Sequence, residues 1–127
     1  MRYRRYLGSD VKLFADVLVK HATPLGSQSR EQSARDVAYR GLADAIIVTG
    51  TGTGQATDTE DVVKASAAVP HIPVLVGSGV HQGNIVQALS VADGVIVGTR
   101  LKEEGIVTNP VDRDRVAALM AEVKGLR

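Results

Sequence analysis

At 127 residues, 44% hydrophobic and 23% charged, the chain has the size and composition of one globular domain with a buried core. It has no cysteine, which excludes disulfides, thiolate nucleophiles, iron–sulfur clusters and cysteine zinc sites. A net charge of +1 with only 3% aromatic residues speaks against nucleic acid as a partner, and no apolar run approaches the ~20 residues of a membrane span.

The first stretch, residues 1–8, reads as a basic N-terminal extension. Residues 1–40 carry eight Lys/Arg against four Asp/Glu, and 41–99 carry one against five. The cluster Arg2, Arg4, Arg5 reads as a solvated tail, with a phosphate, RNA or an anionic membrane surface as the functional alternative. No continuous apolar core and cleavage site follow it, so it is a poor signal peptide and a cytoplasmic location is expected.

Val11–Val19 is rich in β-formers and predicts the first strand. Asp16 interrupts it, and a carboxylate there is costly unless paired. It either pairs with Lys20, four residues on, or marks the floor of a pocket. Lys20 and His21 fall where the strand ends and are the candidate catalytic residues. Lysine can hold a phosphate, form a Schiff base or act as a base, and histidine can shuttle protons near neutral pH. Only one of two adjacent strand residues points inward, and a solvated Lys-His pair is the alternative.

Ser29-Arg-Glu-Gln32 resembles a capping box, followed by a helical stripe of Ala34, Val37, Ala38 and Leu42. Residues 45–49 predict the second strand, ending in Thr49-Gly50-Thr51-Gly52-Thr53-Gly54. No Gly-Lys-Ser/Thr follows, so this is not a Walker loop, and Gln55 breaks a dinucleotide fingerprint. Thr49, Gly50, Gly52 and Gly54 are candidate ligand-binding residues of a lid; a plain surface loop is the alternative.

Thr57 and Asp58 are candidate caps for a helix over 59–68, with Thr57-x-x-Glu60 matching the box pattern. Residues 74–76 predict the third strand, which runs into Gly77-Ser78-Gly79. A short helix is expected over 84–89 and a fourth strand over 94–97, running into Gly98-Thr99. Asp93 caps or orients the turn before that strand. Pro110 and Asp112 start a last helix with Val116, Leu119, Met120 and Val123 at helical spacing, and Gly125 ends it. His71 and His81 sit in polar turns without metal-ligand spacing to His21, so no metal and no cofactor are expected.

The glycine-rich strand ends carry the strongest functional signal. Gly77, Ser78, Gly79, Gly98 and Thr99 let an oxyanion reach backbone N–H groups, with two hydroxyls and the positive end of each following helix in support. The alternative is a pair of tight turns in which glycine supplies φ > 0. Strands alternating with helices imply a parallel α/β sheet, and continuous Val/Ile/Leu strands imply burial on both faces. The expected fold is therefore one domain, 1–127, of four βα units: half of a TIM (β/α)8 barrel, whose last two loops commonly bind phosphate. Four strands cannot close a barrel alone. A homodimer, a complementary N-terminal half, an open sheet or a truncated remnant are the possible outcomes.

Val17-Leu-Val-Lys-His-Ala22, Ala45-Ile-Ile-Val-Thr-Gly-Thr-Gly-Thr-Gly54, Pro73-Val-Leu-Val-Gly-Ser-Gly-Val80, Ala92-Asp-Gly-Val-Ile-Val-Gly-Thr99 and Asn109-Pro-Val-Asp112 together resemble the BtpA/SgcQ family. The resemblance runs from about residue 8 to 124. It implies a TIM-barrel-like protein of roughly twice this length, of which this chain matches the C-terminal half. It also implies a phosphate-binding barrel that takes a phosphorylated small molecule, without an established catalytic residue. The family's name comes from a cyanobacterial member needed for photosystem I accumulation. That implies, as an alternative, a non-enzymatic assembly or stability factor for a membrane protein complex, with peripheral membrane contact. Arg100-Leu-Lys-Glu-Glu-Gly-Ile-Val departs from the family pattern, where a more polar segment with an aromatic is expected.

Overall fold

A computed structural model of the chain describes residues 2–19, 25–50 and 57–126. Four strands, β1 (Phe14–Val17), β2 (Ala45–Val48), β3 (Val74–Val76) and β4 (Gly94–Val95), form one parallel sheet in the order β1-β2-β3-β4. The helices are α1 (Arg2–Tyr6), α2 (Arg30–Arg35), α3 (Thr59–Ala68), α4 (Ile85–Val91) and α5 (Arg113–Lys124). A π-type turn over Asp36–Arg40 extends α2. This is the expected α/β arrangement of four βα units.

The strands end where local chemistry stops them. β1 is shorter than the expected Val11–Val19, because Leu18 leaves the extended region with φ 56°. β3 keeps its expected bounds between Pro73 and Gly77. β4 pairs formally over two residues, though Ile96 N–H still donates to Val76 O at 2.8 Å. Asp93 orients the turn before it, its carboxylate accepting from Val74 N–H at 2.8 Å.

The helices follow their caps. Ser29 Oγ accepts from Gln32 N–H at 3.2 Å, but the Gln32 side chain turns forward to Asp36 rather than back, so half of the capping box forms. Asp58, not Thr57, caps α3 by accepting from Glu60 N–H at 2.9 Å. Asp112 caps α5 through Asp114 and Arg115 N–H. Of the expected α5 stripe, Leu119 is buried whereas Met120 is exposed.

The N-terminal stretch is not a free tail. Arg4 donates to Asp44 at 2.6 Å and to Val11 O at 3.1 Å, which pins α1 to the start of β2. Asp44 also accepts from Leu13 N–H at 2.9 Å and lies 3.4 Å from Lys12 Nζ. The Leu13 N–H first, and then the Arg4 guanidinium, hold the Asp44 carboxyl down at about 2, from an ordinary 3.8.

The two faces of the sheet differ. Val17, Ile46, Val48, Val74 and Val76 point to one face and are buried under the helices with Val62, Ala65, Val69, Ile85 and Leu119. Burying each Val or Ile contributes about 1.5–3 kcal/mol. Phe14, Asp16, Ile47, Leu75 and Ile96 point the other way by strand alternation. Phe14 is 57% exposed, Asp16 is exposed, and Ile47 and Leu75 are half-buried. Burial on both faces was the expectation from the apolar strands; among the described residues the helices cover only one face.

This asymmetry sets a contrast between neighbours in β2. Ile46→Ala should cost about 2–5 kcal/mol, the range for a fully enclosed site. Ile47→Ala, on the bare face, should cost clearly less. Urea unfolding of both variants measures the difference, and equal losses would contradict one-sided burial.

Candidate functional site

The described candidate residues share one edge of the sheet. Thr49 and Gly50 follow β2, Gly77, Ser78 and Gly79 follow β3, and Gly98 and Thr99 come shortly after β4. In a parallel sheet all of these are C-terminal strand ends, the edge where βα folds place their ligands. Lys20, His21, Gly52 and Gly54 lie outside the described residues.

The glycines have different reasons to be glycine. A Cβ on Gly77 would overlap the Ile47 Cγ2 methyl and come within 2.9 Å of Thr49 Cγ2. Close packing of β2 against β3 therefore explains Gly77, whose N–H is already given to Val48 O at 2.9 Å. Gly79 has φ 71°, a turn conformation that disfavours a side chain. Gly98 has φ −122°, and a Cβ there would meet nothing within 4 Å. Packing among the described residues does not require glycine at that position.

A side-chain clamp holds the loop after β3. Asn84 accepts from His81 N–H at 2.8 Å through its Oδ1 and donates to Gly79 O at 3.0 Å through its Nδ2. The His81 ring accepts from Gly83 N–H at 3.0 Å, and Thr57 Oγ1 donates to Ser78 O at 3.2 Å. The loop carbonyls are thus turned toward the protein. The N–H groups of Gly79, Gly98 and Thr99 donate no hydrogen bond to another described residue. Thr49 Oγ1 is buried without a partner among the described residues.

The surroundings add positive charge. A cleft of about 420 Å³ opens beside these loops, lined by His81, Gln82, Arg100, Leu101, Arg115 and Leu119. Arg115 is shared between Asp112, at 3.5 Å, and Arg100 O, at 3.3 Å. Arg100 is exposed and has no ion pair among the described residues. The positive helix ends expected behind both loops are weaker than foreseen: α4 is short, and Gly98 leads into a single 3-10 turn, Thr99–Leu101, rather than a helix.

Two other cavities lie apart from this edge. One of about 40 Å³ sits between α3 and α4 behind the β3 loop, room for little more than water. A larger cleft of about 650 Å³, bounded by Arg4, Tyr6, Asp10 and Leu42, lies at the opposite end of the strands. Among the described residues no group of three His, Asp or Glu side chains could hold a metal, and no helix is long and apolar enough to cross a membrane.

Sequence reasoning missed Asn84, read only as a helix start, and Arg100, seen only within a departing segment. An Asn between a glycine-rich turn and an apolar helix is a usable signal for a loop clamp.

Parallel βα units with their ligand-type loops gathered on one edge define a segment of a βα barrel. Solved structures agree on the fold. Phosphoribosyl anthranilate isomerase from Thermus thermophilus is similar with a TM-score of 0.67 at 18% identity, covering 99% of this chain and 56% of that one. N-(5'-phosphoribosyl)anthranilate isomerase from Pyrococcus furiosus gives a TM-score of 0.58 at 19% identity.

The chain belongs to the BtpA family, whose model matches residues 1–125. Photosystem I biogenesis protein BtpA of Synechocystis is 44% identical over 128 residues, covering all of this chain and 45% of that protein. An uncharacterized protein of Pyrococcus furiosus is 45% identical over 117 residues. The putative sgc region protein SgcQ of Escherichia coli is 30% identical over 128 residues. The chain spans about half the length of these curated relatives.

Asn84→Ala removes both clamp bonds and leaves the His81 N–H and Gly79 O without them. The expected loss is about 1–3 kcal/mol, together with faster amide exchange confined to residues 78–84. Denaturant unfolding and hydrogen exchange check this. Unchanged exchange in that loop would show that the clamp does not hold it.

Proposed function

We propose that this chain supplies half of a βα-barrel binding site for a phosphorylated small molecule, with the phosphate held by the backbone N–H groups of Gly79, Gly98 and Thr99. The observation that carries the reading is Gly98. Packing and φ account for Gly77 and Gly79, whereas among the described residues Gly98 is open on its Cβ side and its N–H finds no acceptor. An oxyanion needs such a side-chain-free approach to backbone donors.

Three further features support it. The two loops follow adjacent strands, the arrangement that binds phosphate in many βα barrels. Arg100 offers a guanidinium next to Thr99, suited to phosphate oxygens. Thr49 and Ser78 add hydroxyls on the same edge. Lys20, His21 and Gly50–Gly54, which follow β1 and β2 in sequence, are the remaining candidates to approach the ligand. A second four-stranded sheet completes the barrel over the bare face: a second copy of this chain, or the other half of a longer family member.

Gly98→Asp tests the placement without straining the core, because the position has room for a side chain. Like charges 4 Å apart repel by about 4 kcal/mol at an effective dielectric of about 20. Phosphate affinity should fall at least about tenfold in a calorimetric titration while the melting temperature stays put. An unchanged affinity would place the phosphate elsewhere.

A further inference from the structure

The cleft of about 650 Å³ at the N-terminal end of the strands does not belong to the ligand edge. One wall is the link from α1 into β1, with Arg4, Arg5, Tyr6 and Asp10, and the other is the turn into β2, with Leu42. Asp44 fastens the two walls together by accepting from Arg4 and from Leu13 N–H. Both walls are thus supplied and joined within this chain. None of the lining residues is one of the inner-face set Phe14, Ile47, Leu75 and Ile96.

Leu42 is held there at a cost. Its φ is 53°, a left-handed conformation that strains a bulky side chain. The fold gains little from it, because Leu42 is 50% exposed and lies outside the core cluster. Leu18 has the same conformation, φ 56°, but packs against that core. Glycine or asparagine would make the Leu42 turn with less strain. Uncompensated strain of this kind gathers at ligand clamps and other functional sites.

The aromatic residues point to the same region. The chain has three tyrosines, one phenylalanine and no tryptophan. None is in the core: Tyr3 and Tyr6 are 72% and 84% exposed, and Phe14 and Tyr39 are exposed as well. Tyr3 and Tyr6 stack with ring centroids 6.5 Å apart, and Tyr6 borders the cleft. Tyrosine and arginine are the residue types enriched at the centres of protein interfaces.

Charge sets the partner. The α1 sequence, Arg-Tyr-Arg-Arg-Tyr, has no acidic residue. Arg4 is taken by Asp44, which Lys12 also approaches at 3.4 Å. Arg5 is exposed and makes no ion pair among the described residues. Asp10 is the single carboxylate among the lining residues, and an ionised carboxylate only accepts hydrogen bonds. A bound chain therefore needs a carboxylate for Arg5, an apolar side chain for Tyr6 and Leu42, and a backbone N–H for Asp10.

We infer that this cleft is a docking site for an acidic peptide segment of another protein, with Arg5 pairing its carboxylate and Tyr6 and Leu42 holding an apolar side chain beside it. The site is independent of the phosphate reading and lies at the other end of the strands.

Fluorescence anisotropy with two short labelled peptides tests this, one of Glu and Leu, the other its counterpart of Gln and Leu. The wild-type chain should bind the Glu–Leu peptide at least about tenfold more tightly, the contribution of a charge-assisted hydrogen bond, and salt should shrink the difference. Arg5→Gln should remove the preference. Leu42→Asn should weaken both peptides at least about fivefold, as loss of an apolar contact predicts, yet melt at or above the wild-type temperature, since asparagine accepts the left-handed turn. A wild-type chain that binds neither peptide, or both equally, overturns the proposal. A lowered melting temperature for Leu42→Asn makes Leu42 a structural residue and also overturns it. Two further results, each without peptide binding, overturn it in favour of another occupant. Sedimentation with phosphatidylglycerol vesicles that Arg5→Gln abolishes assigns the surface to lipid. A solution mass that falls in Arg5→Gln and Leu42→Asn assigns it to a second copy.

Discussion

One-sided burial of a parallel sheet is the constraint on which the rest depends. Parallel strands require crossovers, and the crossover helices cover a face. Here they cover the face carrying Val17, Ile46, Val48, Val74 and Val76. The opposite face, with Phe14, Ile47, Leu75 and Ile96, is left half-bare. In the described residues neither β1 nor β4 has a second strand neighbour. A sheet with two open edges and an apolar inner face is what a barrel becomes when it is divided between two units of four. The chain spans about half the length of its relatives and 56% of a solved isomerase barrel.

That geometry also puts the chemistry on one edge. Every strand points the same way, so every glycine-rich loop emerges together. The structure spends its polar groups there selectively. Asn84 and Thr57 engage the carbonyls of Gly79 and Ser78, while the Gly79, Gly98 and Thr99 N–H groups donate to no other described residue. Loops whose carbonyls are tied back while backbone N–H groups such as those of Gly79 and Gly98 give no bond to a described residue suit an anion. Arg100 strengthens the same bias. The opposite end of the strands is occupied by structural electrostatics instead: Asp44 gathers Arg4, Lys12 and Leu13 N–H, closing the chain start onto the sheet.

Much of this was legible in the sequence where local chemistry decides. Pro73 and Gly77 bracket β3, and Asp58 with its acidic first turn fixes α3, so both elements fall where the pattern places them. The family and the half-barrel fold were readable from five motifs in order. Features set by distant partners were not readable. Val11–Leu13 and Val19 have the composition of a strand, but β2 offers register partners only to Phe14–Val17. Arg4 looks like part of a basic tail until Asp44 is placed beside it. Glycine is equally ambiguous: Gly77 is dictated by the Ile47 and Thr49 side chains beside it and Gly98 by no packing neighbour among the described residues, a difference that no one-dimensional pattern contains. Asn84 acts by reaching back to Gly79, which spacing alone does not reveal.

The central claim is that the bare face is the inside of a barrel and demands a second four-stranded sheet. Light scattering of the purified chain over a range of concentrations tests it most directly. The account predicts self-association to twice the chain mass, weakened by Leu75→Asp on the inner face and left intact by Val63→Asp, a position exposed on the outer helix α3. A monodisperse, cooperatively folding monomer indifferent to both substitutions would contradict it, since the sheet would then be complete as an open structure.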